Sequence, residues 1–134
     1  MLPPIYTAYI AGILIVLQIV LMVLVGTQRI KHRVALGDGG VDGVLRAQRR
    51  HGNLAENAAI FLVVLLLVEM LGAKPMTVLV LGGLFVIARL AHAYALSVTS
   101  GPHPLRAIGA LMTGVLSAGT GLYLIYEAAT WPRR

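Results

Sequence analysis

Four apolar segments, each long enough to cross a lipid bilayer, constrain this chain more than any other feature. They lie at about residues 5–27, 41–71, 76–96 and 105–126, and the second begins with a polar half that ends near Asn57. A membrane-spanning helix needs about 20 mostly apolar residues, so four spans use nearly all of the 134 residues. Charged residues make up only 12% of the chain, against roughly 25% in soluble domains. We therefore predict an all-α fold, an integral membrane four-helix bundle.

Basic residues lie mostly on one side of this predicted topology. The first loop and the polar start of the second helix contain Arg29, Lys31, Arg33, Arg46, Arg49 and Arg50. The turn on the opposite side contains a single basic residue, Lys74. The exit from the fourth span is marked by Trp131, Arg133 and Arg134. The positive-inside rule therefore places the first and third loops in the cytoplasm and both termini outside. No basic domain stands outside the apolar segments, so a nucleic-acid partner is not expected.

Polar side chains from three helices are predicted to meet at the cytoplasmic end of the bundle. The second helix supplies Arg46, Arg49, Asn53 and Glu56. At about 100° per residue these four fall within roughly 80° of one another. The third helix adds Arg89 and His92, which are surface neighbours because they are three residues apart, and Arg106 opens the fourth. Charges at membrane depth cost about 2.5 kcal/mol or more, so this cluster requires partners or a function.

Structural interpretations of the same residues stay open at this point. The arginines of the second helix could anchor the bundle to anionic lipid headgroups, and Glu56 could neutralise Arg89 as a structural pair. His92 alone is more typical of a hydrogen-bonded core residue. The histidines have no ligand spacing, so no metal site is expected, and the chain has no cysteine. Residues 37–40, GDGG, lack the Lys-Ser/Thr of a phosphate loop and are predicted to form a turn.

Residues 46–57, RAQRRHGNLAEN, contain a spacing that resembles a family signature. The membrane-associated proteins in eicosanoid and glutathione metabolism, the MAPEG family, carry Arg-x-x-Arg-x-x-x-Asn-x-x-Glu in their second helix. Residues 88–92, ARLAH, look like the family's Arg-x-x-His or Arg-x-x-Tyr element, and a short proline-containing loop then leads to Arg106. The resemblance covers essentially the whole chain. The short loops and the AENAA run at 55–59 look most like bacterial members, which implies a bacterial inner membrane.

The resemblance implies a homotrimer that binds glutathione, as co-substrate, between neighbouring subunits near the cytoplasmic face. The residues that it assigns to glutathione are Arg29, Arg46, Arg49, Asn53, Glu56, His92 and Tyr94. Arg29 and Arg49 would bind the two carboxylates, because the planar guanidinium matches a carboxylate. Asn53 would hold the peptide backbone, Glu56 would receive the ammonium group, and His92 would add a hydrogen bond.

By the same resemblance, Arg106 is the catalytic residue of a glutathione transferase or peroxidase with a role in detoxification. The glutathione thiol must become a thiolate to attack, and its unperturbed pKa is about 8.5. A fixed cation near the sulfur lowers that pKa. The second substrate would be an apolar electrophile or a lipid hydroperoxide that arrives from the bilayer. Leu96 departs from the pattern, because mammalian members usually have tyrosine there, and Tyr94 lies on another face of the helix.

Two other classes of protein would share parts of this pattern. A non-catalytic family member that binds a lipid or supports another membrane protein would have the same four spans. A small four-span exporter would need a membrane-embedded carboxylate, commonly in its first span, and the first span here has none.

Small residues recur every four positions at Ala110, Gly114 and Ala118. This repeat allows close helix contact in lipid, either between subunits or within one chain.

Overall fold

The computed structural model describes residues 3–131, and this part of the chain contains no β-strand. Its helices are α1 (Ile5–His32), α2 (Asp42–Met70), α3 (Pro75–Val98) and α4 (Pro104–Thr130). All four are long and apolar enough to cross a membrane. The prediction of an all-α membrane bundle of four helices is confirmed. Arg133 and Arg134, which were predicted to mark the exit from the fourth span, lie outside the described residues.

α1 and α4 extend several residues further than the predicted apolar segments, and α3 extends by one or two residues at each end. α1 continues past residue 27 through the basic stretch and ends where Arg33 takes a left-handed conformation with φ of 56°. α4 continues past residue 126 to Thr130. The apolar run marks the hydrocarbon, whereas backbone hydrogen bonding carries a helix on into the headgroup region. The turn predicted at residues 37–40 is present, and three of its glycines have positive φ, which glycine adopts without steric cost.

α2 and α3 form the centre of the bundle. Each of them contacts all three other helices, whereas α1 and α4 do not touch each other within the described residues. The rings of Phe61 on α2 and Phe85 on α3 stack with their centroids 3.8 Å apart, and both side chains are buried. Large apolar side chains such as Ile13 and Leu122 remain exposed on the outer helices. An apolar exterior of this kind is what lipid as solvent favours.

The side chain of Glu69 links the end of α2 to the start of α1, at the end of the bundle opposite the basic loop. Its carboxylate accepts hydrogen bonds from the backbone amides of Tyr6 and Thr7, at 3.0 and 2.6 Å. First-turn amides have no acceptor within their own helix, and Pro4, at the N-cap of α1, supplies no side-chain cap. A carboxylate from the end of α2 therefore caps α1.

We expect Glu69→Gln to lower the free energy of unfolding by about 1–2 kcal/mol, because a neutral amide is a weaker helix cap than a carboxylate. Thermal unfolding of the purified protein in detergent would measure this. Lys74→Gln changes an exposed charge near the same end of the bundle and serves as the control. Unchanged hydrogen exchange at the Tyr6 and Thr7 amides in Glu69→Gln would contradict the capping role.

Candidate functional site

A groove of about 560 Å³ opens where α3 passes into α4. Its walls include His92, Pro102, His103, Pro104, Arg106 and Ala110. Two residues that the sequence placed in one site, His92 and Arg106, thus line the same groove although they lie on different helices. His92 is buried, and Arg106 is half-buried.

The start of α4 determines how Arg106 enters this groove. Pro104 occupies the first turn of the helix, where a missing backbone N–H costs nothing. His103 is the N-cap residue, and its Nδ1 accepts a hydrogen bond from the Leu105 amide at 3.2 Å. The Arg106 guanidinium donates from Nη1 to the Ser100 carbonyl at 3.1 Å. The loop between α3 and α4 therefore holds the base of the groove and orients its arginine.

Gly109 sets how closely α3 and α4 approach. A Cβ at this position would lie 2.7 Å from the Ala88 carbonyl oxygen and 2.9 Å from the His92 amide nitrogen. The predicted repeat of small residues, Ala110, Gly114 and Ala118, is exposed instead. A Cβ on Gly114 would meet no atom within 4 Å, so this repeat is not a close helix contact within the chain. The separation of the two groove walls depends on Gly109.

Arg89 connects three helices from inside the bundle. Its side chain is buried, and its guanidinium donates to the carbonyls of Asn53 at 3.4 Å and Gly109 at 3.1 Å. The guanidinium carbon also lies 6.0 Å from the centroid of the Phe85 ring. The proposed pair with Glu56 is not formed in the described part of the chain, because Glu56 is exposed on α2. Carbonyl oxygens accept from both terminal nitrogens of Arg89 without cancelling its charge, while its buried Nε has no hydrogen-bond partner among the described residues.

The polar stripe of α2 faces away from the bundle core. Arg49 and Glu56 are exposed, and half-buried Asn53 donates from its side-chain amide to the Arg49 carbonyl at 2.8 Å. Arg49 does not line the groove. Glu56 lines a separate cavity of about 230 Å³ between α2 and α4. The stripe is therefore not part of the groove wall in the single chain.

Three residues assigned to glutathione by resemblance lie elsewhere in the single chain. Arg46 forms an ion pair with Asp42 at 3.1 Å and donates to two carbonyls at the end of α3. Arg29, in the last turn of α1, donates to the Ala35 carbonyl at 2.8 Å, in the loop that follows the helix. Tyr94 is 58% exposed and does not line the groove. Of the predicted site, one chain brings together His92 and Arg106.

These features define a small α-helical membrane protein with a positively charged groove at one end of its bundle. The family model of the MAPEG family matches residues 7–126, and the chain belongs to that family. It is similar to the inner membrane protein YecN of Escherichia coli, in strains K12 and O6:H1, with 41% identity over 66 residues. The match covers 49% of this chain and 50% of each relative, so the chain spans about half the length of these relatives.

Proposed function

We propose that this protein is a glutathione-dependent membrane transferase or peroxidase. The observation that carries the proposal is the meeting of His92 and Arg106 on one groove. Membership of the MAPEG family supports a role connected with glutathione or eicosanoids. The substrates would be apolar electrophiles or lipid hydroperoxides, because a site at the bilayer edge is reached from lipid.

The chemistry of the groove suits an acidic tripeptide with a reactive thiol. Its volume of about 560 Å³ falls in the range of roughly 300–1,000 Å³ that small-molecule sites occupy. Glutathione carries two carboxylates and one ammonium group, and arginine binds carboxylates by paired charge-assisted hydrogen bonds. Arg106 would stabilise the thiolate. The glutathione sulfur would then form a bond to the electrophilic carbon, and the leaving group would depart with the electron pair of the broken bond. With a hydroperoxide, the sulfur would attack the terminal oxygen, and the O–O bond would break to release the alcohol. A second glutathione thiol would then attack the oxidised sulfur, giving the disulfide and water.

We propose that a homotrimer completes this site. Glu56 lies about 20 Å along α2 from Glu69, at 1.5 Å per residue, and Glu69 caps the start of α1 at the opposite end of the bundle. This separation is shorter than the hydrocarbon core, which is about 30 Å thick, so we infer that Glu56 lies within the membrane. It is exposed on the single chain, and a charge facing lipid costs about 2.5 kcal/mol or more. A neighbouring copy would cover this face and could supply its own Arg29. A monomeric mass for the detergent-solubilised protein in light scattering would contradict the trimer.

We place the protein in a bacterial inner membrane with both termini on the non-cytoplasmic side. The asymmetry of basic residues between the loops supports this orientation. Because the chain has no cysteine, a single Ser100→Cys variant can be labelled without background. Labelling of that thiol by an impermeant reagent added from outside would contradict the orientation.

The alternative is a non-catalytic family member that binds a lipid or supports another membrane protein. Two observations favour it. Arg29 and Arg46 are both engaged with backbone carbonyls, and Leu96 is a buried apolar residue where the mammalian enzymes have tyrosine. Under this alternative, glutathione does not bind.

A thermal titration with glutathione separates the two functions. A ligand that binds only the folded protein at 100 times its dissociation constant stabilises it by about 2.7 kcal/mol. We expect glutathione to raise the unfolding temperature of the wild type, and we expect Arg49→Gln to lose most of this shift. Arg33→Asn removes an exposed charge from the first loop and should keep the shift. No shift at any glutathione concentration would favour the non-catalytic alternative.

A further inference from the structure

A second polar groove lies between the end of α1 and the start of α2, and it shares no lining residue with the first. It encloses about 520 Å³. The side chains that border it include Gln28, Lys31, His32, Arg46 and Arg50. Its permanent charges are three cations and the carboxylate of Asp42, and that carboxylate is 3.1 Å from Arg46 Nε. Two positive charges therefore remain without a carboxylate partner among the residues that line it.

The donors of this groove are not fully used within the chain. Arg50 Nε is buried and has no hydrogen-bond partner in the described residues. A buried charged donor that lacks an acceptor is costly, so native structures rarely leave one unmatched. Asp42 and Gly43, in the first turn of α2, also line the groove, and amides in a first turn have no acceptor within their helix. The positive end of the α2 dipole favours an anion at the same place.

The groove lies at the membrane end that holds the basic loop. It is bordered by the C-terminal part of α1, the N-terminal part of α2 and, through Ser97, the end of α3. Basic pockets between membrane helices on this side of a bilayer are placed to meet the headgroups of anionic lipids. An oxygen-rich, doubly hydrogen-bonding anion matches both a guanidinium fork and a helix N-terminus.

We propose that this groove binds a phosphate group, carried either by the headgroup of an anionic phospholipid or by free phosphate. Arg50 and Lys31 supply the charge, and the first turn of α2 supplies backbone amides. Arg46, which the family resemblance assigns to glutathione, belongs to this second site. The proposal is independent of glutathione chemistry, because it rests on a separate groove.

Lipid retention by the full chain tests the headgroup arm. In native mass spectrometry from detergent, we expect the wild type to retain phosphatidylglycerol in preference to phosphatidylcholine of the same chain length. Lys31→Gln and Arg50→Gln should each weaken this preference about fivefold, the change expected for one basic side chain near an anionic surface. Arg33→Asn removes a positive charge at the end of α1, two residues after Lys31, from a position that does not line the groove, and asparagine tolerates the left-handed backbone there. It should retain the preference.

Thermal unfolding with inorganic phosphate, at constant ionic strength, tests the free-phosphate arm. A rise in unfolding temperature for the wild type but not for Lys31→Gln, without any lipid preference, would support the site and identify free phosphate as its ligand. Lys31 is exposed, so its variant reports on the site even if Arg50→Gln fails to fold. The proposal is overturned if neither phosphatidylglycerol nor phosphate has an effect. It is equally overturned if Arg33→Asn weakens binding as much as Lys31→Gln does.

Discussion

Arg106→Gln is expected to slow glutathione conjugation at pH 7 by roughly 10- to 30-fold. A thiol with a pKa of about 8.5 is only about 3% thiolate at pH 7. A thiol whose pKa is lowered by about two units is mostly thiolate at the same pH. Two units correspond to about 2.7 kcal/mol. The positive charge of Arg106 on the groove wall is the source we propose for this shift. Removing the charge raises the thiol pKa again and reduces the reactive fraction.

The pH profile of kcat/KM distinguishes this role from simple binding. The midpoint of the profile should move up by about two units, towards the thiol's unperturbed pKa, so that the variant approaches wild-type rates near pH 9.5. Arg106→Lys keeps the charge and should keep most of the wild-type midpoint, although it loses the planar fork. An Arg106→Gln enzyme with the wild-type pH profile would remove this arginine from thiol activation, while glutathione binding through Arg49 could persist.

The fold followed from the sequence because lipid imposes a simple rule. Every backbone polar group in the hydrocarbon must be paired within the protein, so an apolar run of about 20 residues has essentially one solution, a helix. The rule predicted four helices. It could not predict the end of α1 at His32, because helical hydrogen bonding continues where hydropathy falls.

The site was only partly predictable, since spacing gives the helix face but not the partner of a side chain. Helical spacing placed His92 and Arg106 at one end of the bundle, and they share a groove. It did not indicate that buried Arg89 would bond to carbonyls rather than to Glu56. The cap that Glu69 provides joins residues more than 60 positions apart, and no local pattern encodes such a pair.

His103 and Gly109 were missed for different reasons. The position of His103 just before Pro104 is typical of a helix N-cap, so a signal was present in the sequence. Gly109 gave no such signal, because glycine is frequent in membrane helices and only one of several on α4 faces α3. Whether a glycine is a contact or a lipid-facing residue depends on helix rotation, which the weak amphipathicity of a membrane span does not define.

Gly109→Ala is the second change with a large expected effect. Its Cβ would lie 2.7 Å from the Ala88 carbonyl oxygen and 3.0 Å from the His92 Cβ, so α4 must move away from α3. We expect a loss of about 1–3 kcal/mol in unfolding free energy, the usual cost of overpacking. Arg106 is on the same helix as Gly109, whereas His92 is on α3. A shift of α4 away from α3 should therefore widen the groove between them. A misplacement of about 1 Å can cost on the order of 100-fold in rate. We therefore expect the conjugation rate to fall even under conditions where the variant is still folded.

Gly114→Ala is the matched control, because it makes the same change on the same helix where no atom lies within 4 Å. Alanine is favoured over glycine inside a helix by up to about 1 kcal/mol, so this variant should unfold at the wild-type temperature or above it. Thermal unfolding and conjugation rates of both variants in one detergent give the comparison. Equal behaviour of the two would mean that the α3–α4 approach does not hold the groove in shape. If only Gly109→Ala loses stability and conjugation rate, the relative position of His92 and Arg106 depends on the absence of a side chain at residue 109.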